Sequence, residues 1–167
     1  MRLKPPVWYA NALRRTLLSL VPALARPDDP WAEQHLTPNE YALFARLSPQ
    51  ERAHGVDVAR RLRRLRPDAP REVVAAALLH DVGKLGTPQA TGWRILAHLL
   101  PWANVPPEPR LRGLAGARQA RAHHARYGAD LLRGAGAAPR VVELVQRHHS
   151  DGADPDAKLL LECDERT

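Results

Sequence analysis

The chain has 167 residues, 44% of them apolar and 26% charged, which suits one globular domain with a real hydrophobic core and excludes a disordered segment. A single cysteine, Cys163, excludes an internal disulfide framework and fits a reducing compartment, and no apolar run approaches the roughly 18 residues of a bilayer span. The net charge of +7 comes almost wholly from arginine, since lysine stands only at positions 4, 84 and 158.

That charge suits phosphorylated small molecules or nucleic acid. However, Arg60, Arg61, Arg63, Arg64 and Arg66 lack the interleaved aromatics of a single-strand groove and read as the solvated face of a helix, so nucleic acid is not the favoured partner. Near the start, RRTLLSLVPALA has the basic flank and apolar run of a leader, but Pro22 breaks the run and Trp8 and Tyr9 suit a leader poorly. It reads as an amphipathic helix packed on the domain, and the protein is expected in the cytoplasm. Residues 1–48 are thus expected to form a helical extension on a main domain spanning 49–167.

Two helix starts share one device. TPNE and SPQE place Thr37 and Ser48 as N-caps, Pro38 and Pro49 at the first helical position, and Glu40 and Glu51 three residues after each cap. The second helix is predicted to reach Leu65, with Val58, Leu62 and Leu65 in an apolar stripe and His54 on the same inward side. PDAPREVVAAALLHDVGK restarts a helix after Asp68, with Val74, Ala77, Leu78 and Asp81 along one face, His80 one step around, and Gly83 as a stop. From Leu85 to about 117 the chain reads as an irregular proline-rich insert; Thr91–Leu100 suits a short helix before Pro101, Pro106, Pro107 and Pro109. Helix resumes through RQARAHHARYGADLLRGAG, and Pro139 opens another in which Val141 and Val145 share a face with His148 or His149. Asp156 is predicted to cap a last helix, where Leu160 and Leu161 lead to Asp164. No segment alternates with period two, so the fold is expected to be all-α.

His54, His80, Asp81, His124, His148, His149 and Asp164 fall near the ends or along the inward faces of different predicted helices. A lone inward histidine is commonly just a hydrogen-bonded core residue. Seven such groups are another matter, because each desolvated polar group left unpaired costs about 1–3 kcal/mol. A divalent metal would satisfy them, and imidazoles with a few carboxylates and no thiolate suit Fe, Mn, Zn or Co. One carboxylate flanked by ligands for two ions suggests a bridged pair roughly 3.5–4 Å apart.

His54, then His80-Asp81, then Asp164 resembles the H…HD…D signature of the HD-domain superfamily of metal-dependent phosphohydrolases. LLHDVGK, HARYGADLLRGAG and VVELVQRHH are similar to its HDIG-type branch, related to the HD-GYP phosphodiesterases, although KLGTPQATGW stands where a GYP motif would be. The resemblance implies a helical bundle with a metal site in its core. In it His54, His80, Asp81 and Asp164 would hold a first ion, and Asp81 would bridge to a second completed by His124 and by His148, His149 or both. It prefers His124 to His123, because the ligand stands four residues before a glycine, here Gly128. It also matches Lys84 to a lysine that reaches a phosphate oxygen.

The expected activity is hydrolysis of a phosphoester in a nucleotide or other small phosphorylated metabolite by a metal-activated hydroxide, with Asp81 and Lys84 as catalytic groups. Arg94, Arg110, Arg112 and Arg118 of the insert region are candidates to bind phosphate. The resemblance allows two rivals: an oxygen-activating di-iron enzyme, and a non-catalytic domain that binds metal and nucleotide as a regulator.

Overall fold

The computed structural model describes residues 25–86, 92, 93, 96, 97, 100, 105–149 and 152–167. Among them it shows seven α-helices and no strand, in keeping with the all-α expectation. In chain order these are α1 (Asp29–Glu33), α2 (Pro38–Phe44), α3 (Pro49–Leu65), α4 (Arg71–Leu79), α5 (Gly113–Gly134), α6 (Pro139–Arg147) and α7 (Pro155–Glu165), with a 3₁₀ turn over Val82–Lys84 after α4. The N-terminal helix expected around residues 14–25 and most of the short helix expected over 91–100 lie outside the described residues.

Both proline-led starts form complete capping boxes. Thr37 and Ser48 each accept from the backbone N–H three residues on, while Glu40 and Glu51 reach back to the cap N–H. Glu40 is fully buried and also pairs with Arg71 at the start of α4, at 2.9 Å, which ties α2 to that helix. Ala32, Leu43, Phe44 and Leu47 join the same core as α3 and α4.

α4 is the centre of the molecule. Val73 through Leu79 are all buried, as befits a helix that is apolar on every side, and α3 and α6 pack against it. Each fully buried Val or Leu contributes about 1.5–3 kcal/mol. α3 approaches closely at Gly55, where an added Cβ would lie 2.7 Å from the Leu78 carbonyl oxygen. α5 packs along α6 and the 3₁₀ turn, and α7 against α3. The helices that bear the candidate ligands therefore all surround the C-terminal end of α4.

Several local expectations shift. Gly83 does not stop α4 through a left-handed conformation; the positive-φ glycines are Gly86, Gly113 and Gly136. Leu65 is exposed, because the packing of α3 ends a turn earlier at Leu62. α5 begins at Gly113, so the last residues of the stretch read as irregular are helical. The cap of α7 is Asp154, whose carboxylate accepts from the N–H groups of Asp156 and Ala157. Asp156 instead sits in the first turn, where it pairs with Arg140 of α6 at 2.5 Å and with Arg66 at the end of α3. Arg140 also grips Asp154 at 2.7 and 2.9 Å, which holds the Asp154 carboxyl down at about 2. This clasp fixes α7 against the two helices it must meet. Of the arginines read as a solvated face, Arg66 is part of the clasp, and Arg60 pairs with Asp28 over the Trp31 ring.

Candidate metal centre

All seven predicted ligand residues converge. His54 comes from α3, His80 caps the C-terminus of α4, Asp81 follows it, His124 comes from α5, His148 caps the C-terminus of α6 with His149 next to it, and Asp164 comes from α7. Two groups of donor atoms form within this set. Those of His54, His80 and Asp81 lie within 4.8 Å of one another, and so do those of His124, His148 and His149. Asp164 joins the first group, with its Oδ1 2.9 Å from His54 Nε2 and 3.6 Å from His80 Nε2. Asp81 stands between them: its Oδ2 is 3.6 Å from His80 Nε2 and its Oδ1 3.7 Å from His124 Nε2.

The backbone sets the tautomers. Nδ1 of His80 lies 2.8 Å from the Ala77 carbonyl, that of His124 3.1 Å from Ala120 O, and that of His148 2.6 Å from Val145 O. A carbonyl only accepts, so each Nδ1 carries a proton and donates it. In a neutral ring the lone pair is then left on Nε2. Burial pushes His148 well below the ordinary histidine range and, with Lys84 adding to it, takes His124 down to about 4, so both rings are neutral. Their Nε2 atoms nevertheless face each other at 3.3 Å, and His149 Nε2 lies 2.8 Å from that of His124. The facing lone pairs of His124 and His148 repel unless a cation or a donated proton lies beside them, and His149 Nε2 is close enough to donate one to His124.

The carboxylates complete this pattern. Burial alone would raise Asp81, but Lys84 and the surrounding histidines hold it well below the carboxylate range. Asp164 is likewise held ionised against burial by His54 and His80. Burial pulls His80 down, yet Asp81 and Asp164 together raise it. His80 Nε2 is buried without a hydrogen-bond partner. Its 3.6 Å separations from two carboxylate oxygens are too long for hydrogen bonds. Donors about 2.1 Å from a shared ion sit roughly 3.0–3.4 Å apart, so small movements would bring these atoms onto one ion. Neutral imidazoles, ionised carboxylates and an orphaned Nε2 together fit divalent metal.

His123 faces elsewhere and reveals a feature that sequence reasoning missed. Gln119, His123 and Tyr127 form a ladder on one side of α5 that fastens the segment 105–111. Gln119, fully buried, accepts from Leu111 N at 2.9 Å and donates to the carbonyls of Pro106 and Pro109, both at 2.8 Å. His123 Nε2 donates to Val105 O at 2.5 Å and Tyr127 to Pro107 O at 2.6 Å. Arg110, one of the arginines considered for phosphate, places its guanidinium carbon over the Tyr127 ring at 3.2 Å from its centroid. The proline-rich segment is thus a strap that braces the helix carrying His124. Gln119→Leu would strand three backbone groups, at about 1–3 kcal/mol for each that stays buried. It is expected to lower the melting temperature and to speed amide exchange at Val105, Glu108, Arg110 and Leu111. Unchanged exchange there would show that the strap is held by other contacts.

One family model matches the chain, that of the HD domain, over residues 52–165, a span that contains all seven clustered residues. No curated protein and no solved structure matches the chain significantly. No helix among the described residues is long and apolar enough to cross a membrane.

Proposed function

The chain belongs to the HD domain family, broadly one of metal-dependent phosphohydrolases, and on that premise and the geometry of the centre we propose that it hydrolyses a phosphoester in a nucleotide or small phosphorylated metabolite. His54, His80, Asp81 and Asp164 would hold one ion, and Asp81 with His124, His148 and His149 a second; Mn, Fe, Co and Zn all suit these donors. The observation that carries this reading is the approach of the Nε2 atoms of His124 and His148 to 3.3 Å beside Asp81, each ring with its Nδ1 turned to a backbone carbonyl.

Bound divalent ions would supply Lewis acidity, acidifying a water and drawing charge from the phosphoryl oxygens. The chain's own residues do the rest. Carbonyls of α4, α5 and α6 lock three imidazoles in orientation, so little reorganisation is needed when charge develops. Asp81 offers one oxygen to each half of the cluster. Lys84 stands beside it on the 3₁₀ turn, with its side chain 30% exposed, and supplies a cation for a phosphoryl oxygen. Of the arginines considered for phosphate, Arg110 is engaged with Tyr127, and Arg112 is an exposed residue at the start of α5.

The test joins elemental analysis of the purified protein to a screen of nucleotide and sugar phosphomonoesters and phosphodiesters with each of the four metals. Up to two equivalents of metal, loss of hydrolysis on chelation and recovery on re-addition are expected. Protein that takes up no metal and turns over none of these esters would refute the reading.

A further inference from the structure

Lys84 Nζ lies 2.5 Å from Asp81 Oδ2, the oxygen that faces His80 rather than the one that faces His124. The ammonium therefore sits on the side of the carboxylate where, in the reading above, the first ion would draw its charge. We propose that Lys84 and that ion compete for Asp81, so that loading the centre displaces the lysine and frees its charge for an anionic substrate. The inference rests on the metal reading, and three features of the chain support it.

The first is electrostatic. A divalent ion among His54, His80 and Asp164 would stand close to Lys84, and two cations on one carboxylate oxygen repel strongly where water is partly excluded. The second is mechanical. The turn that carries Lys84 is pinned at Gly83 against α5, so the backbone stays in place while the long, partly exposed side chain rotates outward. The third is charge balance: without an ion, the ammonium of Lys84 is the counter-charge in direct contact with the buried Asp81 carboxyl. Metal and phosphate would thus bind with positive coupling. Each ion that takes Asp81 releases a group that attracts the anion, and by linkage an anion that holds Lys84 tightens the ion.

Two measurements on the full chain test this with Mn²⁺ alone as probe. With lysine only at positions 4, 84 and 158, reductive methylation followed by peptide mass spectrometry reads Lys84 against exposed Lys158 within one sample. Mn²⁺ is expected to raise the labelling rate of Lys84 several-fold relative to Lys158; an unchanged or lowered ratio overturns the proposal. In Lys84→Met, which keeps most of the side-chain length without the charge, the Mn²⁺ affinity measured by chelator competition is expected to rise at least about tenfold. Equal or weaker affinity overturns it as well. Failure of wild type and variant alike to bind Mn²⁺ would instead refute the metal reading on which the proposal stands. The labelling uses the unaltered chain, so its outcome does not depend on whether Lys84→Met folds.

Discussion

Gly83→Ala is expected to destabilise the protein by about 3 kcal/mol or more, at or above the upper end of ordinary overpacking. A Cβ at Gly83 would lie 1.8 Å from the His124 carbonyl oxygen and 2.5 Å from Gly128 N, and both are backbone atoms of α5 that no side-chain rotation can clear. Gly128 faces Gly83 in turn, so two glycines let the turn after α4 touch the helix that carries His124. The cost is one of space rather than conformation, since Gly83 is not among the residues with positive φ. Relief would require α5 to withdraw, which would take His124 away from Asp81 and empty the second half of the centre. Chemical denaturation with metal titration reads both effects. Gly134→Ala is the control: nothing lies within 4 Å of its added methyl, and it should be neutral or slightly stabilising. If Gly83→Ala matched that control, the tight contact between turn and helix would be wrong.

Local chemistry is legible in the sequence, and tertiary contact is not. The capping boxes at Thr37 and Ser48 depend on residues three apart, so TPNE and SPQE announce them. The clustering of His54, His80 and His148 can be anticipated because each lies on an inward stripe or helix end, where an uncompensated imidazole is costly. Gly83 reads wrongly as a helix stop, because a glycine after a helix looks the same whether it supplies a left-handed turn or makes room for a neighbour. Gln119 gives no signal at all. Its burial depends on a proline-rich strap that shows no periodicity. Asp156 reads as the cap of the last helix, but Asp154, two residues earlier in DPD, takes that place. His123 and His124 differ by only about 100° around the helix. Which of them turns inward is carried by likeness to a family pattern rather than by the residues alone, and it is His124 that faces Asp81.

On the proposed function, Asp81→Asn is expected to lower phosphoester turnover by roughly three orders of magnitude, about 4 kcal/mol of transition-state stabilisation, while leaving the helical circular dichroism intact. The amide keeps the volume of the carboxylate, so the packing at the end of α4 survives. It removes the charge that faces both His80 and His124, and it turns a hydrogen-bond donor toward the place where cations are expected. Asp164→Asn separates bridging from simple ligation. Asp164 lies 2.9 Å from His54 and 3.6 Å from His80, so its loss should fall first on that half of the centre and leave about one equivalent of metal bound. Asp81→Asn should weaken both halves together and leave the protein with less metal than Asp164→Asn. Equal metal content in the two variants would remove the bridge and leave two separate sites. Full turnover by Asp81→Asn would remove the catalytic assignment itself, because Asp81 is the carboxylate whose two oxygens lie within 4 Å of an imidazole in each group.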